Sequence, residues 1–73
     1  MALPSDTRMI RIAEVIRVTG LSRSQLYGLA DQRRFPRGIK LGSRAVAWLH
    51  SEVLSWLEDR IRDARALERS NDF

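Results

Sequence analysis

Apolar positions along the chain follow helical spacing in three places and strand spacing in one. From Arg11 to Val18, the residues Ile12, Val15 and Ile16 recur three and four apart, which lines one face of a short helix ending near Gly20. A second helix opens at Ser22, an N-cap residue with Gln25 three positions on to complete a capping box, and Leu21 before the cap is placed to meet Leu26 as a hydrophobic staple. Turning Leu26, Leu29 and Ala30 to the core leaves Ser24, Tyr27, Gly28 and Asp31 facing outward, with Arg23 at the margin. This helix must stop before Phe35-Pro36, because a residue preceding proline is driven out of helical geometry.

The stretch RGIKLGSRAVAW then reads as a β-hairpin. A two-residue Gly42-Ser43 loop of type II′ pairs Lys40 with Ala45 and Ile39 with Val46, gathering Ile39, Leu41, Val46 and Trp48 on one face. A three-residue loop, Gly42-Ser43-Arg44, splits that set, so the burial pattern selects the shorter loop. It puts Ser43 and Arg44 at the tip and Lys40 on the outer face. From His50 or Ser51 to Arg69 the pattern is helical again, with Val53, Trp56, Leu57, Ile61 and Ala64 as its apolar stripe. Twenty such residues span about 30 Å, more than a small core needs, so the last two turns are expected to project. Residues 1–8 are expected to form a flexible leader, 9–69 the folded domain and 70–73 a frayed tail.

A chain of 73 residues holds one domain at most, with a core near the lower limit for folding alone. It has no cysteine, so disulfides and thiolate metal sites are excluded, and the single His50 cannot build a metal centre. Neither a membrane-spanning apolar run nor the apolar core of a signal peptide is present, and a soluble, cytoplasmic protein is expected. The net charge of +4 is unevenly placed. Between Gly20 and Ala45, Arg23, Arg33, Arg34, Arg37, Lys40 and Arg44 stand against Asp31 alone, a local +5, while the remainder carries −1. Such a field attracts polyanions, nucleic acid foremost.

A helix, a glycine turn, a capped second helix and a basic hairpin together describe a winged helix-turn-helix, whose second helix enters the DNA major groove. By itself a polar helix face is more often merely solvated; here the cap, the hairpin and the confinement of charge to both agree on DNA. Tyr27 fits two roles at once, its ring packing on the wing and its hydroxyl reaching a phosphate. Trp48 and Trp56 lie on apolar stripes and read as core rather than as base-stacking platforms. Catalysis finds no support: adjacent Glu58 and Asp59 diverge by about 100° on a helix, His50 falls in a first helical turn, and there is neither a serine relay nor a phosphate-binding glycine loop.

Four pieces in order, TGLSRS-x-x-Y, the FP before the hairpin, IKLG-SRAV-x-W within it and SEV-x-x-WL in the last helix, resemble the AlpA-type phage regulators, small relatives of excisionases and of the DNA-binding part of MerR proteins. The similarity runs from about Met9 to Arg65. It implies a mainly α, winged helix-turn-helix fold with a small β-hairpin, a recognition helix over about 22–33 and a wing over 37–48. Double-stranded DNA is the implied partner, with control of prophage or integrated-element genes and contact with an integrase or the transcription machinery. Carried over from the resemblance, Ser22, Arg23, Ser24, Tyr27, Lys40, Ser43 and Arg44 are expected to bind DNA, with Arg34 and Arg37 added from the basic segment, and no cofactor, metal or catalytic residue is expected. Self-association on DNA through the last helix is expected from the small footprint of one copy. An excisionase-like architectural factor, and a module docking an acidic protein, are the alternatives. Three positions depart from the family pattern: Gly28 replaces a frequent basic residue, Arg33 a helix-ending glycine and Gly38 a frequent proline.

Overall fold

The computed structural model describes Leu3 and residues 7–71. The elements in chain order are β1 (Met9–Ile10), α1 (Ile12–Thr19), α2 (Arg23–Asp31), β2 (Ile39–Lys40), β3 (Val46–Leu49) and α3 (His50–Asn71). The strands form one antiparallel sheet in the order β1-β3-β2. This is a winged helix-turn-helix, mainly α.

The turn between α1 and α2 is held almost entirely by its own residues. Gly20 takes the left-handed conformation at φ 75°, open to glycine at no steric cost, and its N–H donates to the Ile16 carbonyl at 2.8 Å. The Thr19 hydroxyl donates to the Val15 carbonyl and accepts from the Leu21 N–H. At the start of α2 the capping box is complete: the Gln25 N–H donates to the Ser22 hydroxyl at 3.1 Å, and the Ser22 N–H to the Gln25 side-chain oxygen at 2.9 Å. Leu21 and Leu26 both join the core, Leu26 at 2% exposure.

The hairpin corrects the expected register. Ile39 pairs with Ala47 and Lys40 with Val46, and the Leu41 N–H donates to the Ala45 carbonyl at 2.7 Å, so the loop has three residues, Gly42-Ser43-Arg44. Gly42 does not adopt the positive φ that a type II′ turn requires. Val46 and Trp48 accordingly face the core with Ile10, while Ile39 and Leu41 lie on the other face, 40% and 56% exposed. Lys40 falls on the core side rather than the outer one, and Ala47, paired with Ile39 on the opposite face, is fully buried. The reason lies in Gly38. One step beyond the observed pairs, this register sets Gly38 against Trp48, and a Cβ there would stand 3.1 and 3.2 Å from the indole ring and closer still to Val46. A register one residue shorter would set Arg37 there instead. Seating the largest apolar side chain against a residue with no Cβ outweighs hiding two aliphatic residues.

Trp48 is 3% exposed, and its indole N–H donates to the Pro36 carbonyl at 3.0 Å. Trp56, half-buried, donates to the Arg34 carbonyl and meets Phe35 edge-on with ring centroids 4.9 Å apart. The two indoles thus hold the backbone on either side of buried Phe35, fixing the loop that joins α2 to the wing. Along α3, Val53 is fully buried and Trp56 and Leu57 partly so, but every residue from Glu58 to Glu68 is exposed, Ile61 at 50%. Of the predicted stripe, Ile61 and Ala64 therefore lie outside the core, and the projecting part is longer than two turns. The helix continues through Asn71, where fraying was expected from Ser70; Asp72 and Phe73 lie outside the described residues. Much of the predicted leader also lies outside them, but its last residue is tied, the Arg8 carbonyl accepting from the His50 N–H at 2.8 Å.

Candidate nucleic-acid interface

Helix α2 presents Arg23, Ser24, Tyr27, Gly28 and Asp31 to solvent, as its periodicity predicts. Arg23 and Ser24 occupy its first turn, where free backbone N–H groups and the helix dipole add partial positive charge. Ser22 sits at the cap itself. Its oxygen is occupied by the Gln25 N–H, leaving the O–H proton as its outward group.

Between α2 and the wing lies an open cleft of about 310 Å³. Tyr27, Asp31, Arg37 and Lys40 stand around it, and Gly38, Val46 and Trp48 are among the residues that line it. The corrected hairpin register is what brings Lys40 here, since it turns that side chain toward α2. Tyr27 is 49% exposed, its ring tilted at 58° to that of Trp48 with centroids 6.4 Å apart. One side of the ring thus rests on the root of the wing and the rest faces out. Ser43 and Arg44 are exposed in the wing loop.

Arg34 goes elsewhere. It borders a hollow lined by Trp56, Asp59, Arg60 and Asp63 of α3, apart from the cleft that holds Tyr27, Arg37 and Lys40. Its neighbour Arg33 takes φ 61°, and among the described residues no other non-glycine has positive φ. The Arg33 N–H donates to the Ala30 carbonyl at 3.0 Å and the Arg34 N–H to the Leu29 carbonyl at 2.8 Å. Those bonds form a Schellman motif, so α2 ends as it would with glycine, but with an arginine carrying the strain. The recognition segment expected over 22–33 is therefore helical from Arg23 to Asp31, flanked by its two caps.

The electrostatics are one-sided. Among the described residues, ion pairs join Arg17 to Glu14 at 3.3 Å and Arg62 to Asp59 at 2.9 Å, both outside the central segment. None of Arg23, Arg33, Arg34, Arg37, Lys40 and Arg44 is so neutralised, and all six are exposed. Asp31, within the cleft, is the carboxylate that sequence reasoning left unassigned; its outward position was legible, but the wing that closes over it was not. No group of three or more potential metal ligands occurs among the described residues, and no described helix is long and apolar enough to cross a membrane.

Comparison with known proteins agrees with this architecture. Residues 8–61 match the family described as prophage CP4-57 regulatory protein (AlpA). The chain is 48% identical over 63 residues to the uncharacterized protein ORF88 of Enterobacteria phage P4, covering 84% of this chain and 72% of that one. It is 30% identical over 64 residues to the DNA-binding transcriptional activator AlpA of Escherichia coli (strain K12), covering 80% and 91%. The matched span runs from the last leader residue through the first three turns of α3, taking in both helices, the cleft and the wing, and on that ground the chain belongs to the AlpA family of prophage regulatory proteins.

Proposed function

We propose that this chain is a sequence-specific DNA-binding regulator of transcription of the prophage or mobile-element type, working in the cytoplasm. The observation that carries it is the set of exposed, unneutralised cations on α2, the wing and the loop between them, two of which, Arg37 and Lys40, line the cleft. In this reading the basic segment captures the duplex by displacing counterions, and the face of α2 with Arg23, Ser24 and Tyr27 enters the major groove. Tyr27, Arg37 and Lys40 take phosphates at the cleft, while Ser43 and Arg44 anchor the wing on the backbone or in the minor groove. Arg34, turned toward α3, contributes through its field and through the carbonyl that fixes the loop. The activator among its relatives supports a role in transcription.

One such module buries only about 600–1,000 Å² of protein surface on DNA, so specific binding at physiological salt calls for more than one copy. The projecting part of α3 is the surface that joins them. Selection of bound sequences from random duplex DNA tests the central reading: an enriched motif is expected, with log affinity falling against log salt at a slope of roughly −3 to −4 per copy for about four phosphate contacts. Recovery of unselected sequence, or affinity indifferent to salt, would refute it.

A further inference from the structure

Two residues of α2 cost the helix stability and gain no contact from the fold in return. Gly28 stands in the middle of the helix on its outward face, where glycine is less favourable than alanine because its backbone has more freedom to lose. Nothing inside the molecule calls for it: its φ is not positive, and a Cβ built there meets no atom within 4 Å. Asp31, one turn on, is the last residue of the helix, where the dipole is negative and a carboxylate is repelled. It is exposed, and neither Arg37 nor Lys40, which share its cleft, forms an ion pair with it. Asp31 therefore does not hold those side chains in place, although it is the single carboxylate among the six cations of the segment from Gly20 to Ala45.

A local misfit without an internal cause marks a place shaped by something outside the chain. On a DNA-binding face each of these two has a use. Glycine leaves the helix backbone uncovered, so a surface can approach it more closely than it could past a side chain. A carboxylate is repelled by phosphates, and in the major groove the bases offer it donors only at the exocyclic amino groups, cytosine N4 and adenine N6. Adenine sets its N7 acceptor beside that amino group, facing the carboxylate with a lone pair, whereas cytosine has no acceptor on its edge. We propose that Asp31 is a specificity-determining residue whose carboxylate accepts from the N4 amino group of one cytosine in the major groove, and that Gly28 lets α2 lie close enough to the base edges for that contact. Three residues apart, the two share one side of the helix. Arg37 and Lys40, beside Asp31 in the cleft, offset the repulsion between its carboxylate and the flanking phosphates.

This inference rests on the DNA-binding reading, and one selection separates the two. Full-length wild-type protein and its Asp31→Ala variant are each used to select bound sequences from random duplex DNA. The wild type should enrich a motif, and Asp31→Ala the same motif with the preference for cytosine lost at one position. An unchanged motif, or a preference lost only at a base other than cytosine, overturns the assignment of Asp31 while DNA binding stands; no wild-type motif at all would sink both. Between the selected duplex and one with that C·G pair replaced, the wild type should discriminate by about tenfold and Asp31→Ala not at all. A gain in affinity shared equally by both duplexes, with discrimination kept, would mean that the carboxylate only repels DNA and would also overturn the assignment. Gly28→Ala checks the close approach. Its methyl group meets nothing within the chain, so Tm should rise by about 2–8 °C. Affinity for the selected duplex should nonetheless fall by about tenfold. Higher stability with undiminished affinity overturns the role given to Gly28.

Discussion

Replacing Arg33 by glycine should separate stability from DNA affinity. Arg33 holds φ 61° at the end of α2, where its N–H and that of Arg34 close the Schellman bonds to Ala30 and Leu29. The left-handed region costs an L-residue about 1–2 kcal/mol, whereas glycine enters it freely. Glycine in turn loses about 0.4–1 kcal/mol through its greater freedom in the unfolded chain. Arg33→Gly should therefore gain about 0.5–1 kcal/mol, or roughly 2–8 °C in Tm for a domain of this size. Arg33→Ala removes the same charge but keeps the strained backbone, so it should show no such gain. Both should lose the same cation from the basic surface, lowering the salt slope of DNA binding by about 0.9 if Arg33 meets a phosphate. Thermal and urea melts of the three proteins, with DNA titrations at several salt concentrations, measure the two effects independently. If Arg33→Gly is no more stable than Arg33→Ala, the left-handed backbone carries no strain and the reasoning fails.

Gly38→Ala should destabilise by about 1–3 kcal/mol in urea melts, because the added Cβ overlaps Val46 and crowds the Trp48 ring; wild-type stability would show that the wing does not seat there. Leu41→Ser should cost no more than about 0.5 kcal/mol, since Leu41 is 56% exposed, whereas the shorter hairpin loop would place it in the core and make the loss several-fold larger. Reversing Arg23 and Arg44 to glutamate should abolish binding to a single half-site and leave circular dichroism and melting nearly unchanged; equal damage from reversing Arg62 and Arg65 would place the DNA surface on the wrong elements.

What could be read from the sequence alone was what neighbouring residues settle among themselves. The end of α1 at Gly20 and the start of α2 at Ser22 are of this kind, because each hydrogen bond involved joins residues at most four apart. The outward face of α2 was equally legible, since a helix of fixed pitch needs only one buried residue, Leu26, to orient the rest. The wing was not. Alternation along a strand shows which residues share a side but not how two strands align, and the alignment was decided by a ring twelve residues away from the carbonyl it binds. That contact put Gly38 under Trp48, turned Lys40 into the cleft and left Ile39 and Leu41 outside. Strand β1 was missed for the same reason: two residues carry no periodicity of their own, and Met9 and Ile10 are strand only because Leu49 and Trp48 pair with them. Phe35 read as the residue that stops a helix, and only the packing of Trp56 and the rest of the core against it made it part of that core. Local hydrogen bonds and helical pitch are written within a few residues. Strand register, and the cleft that depends on it, are set by where the largest side chains find room, a property of the assembled chain.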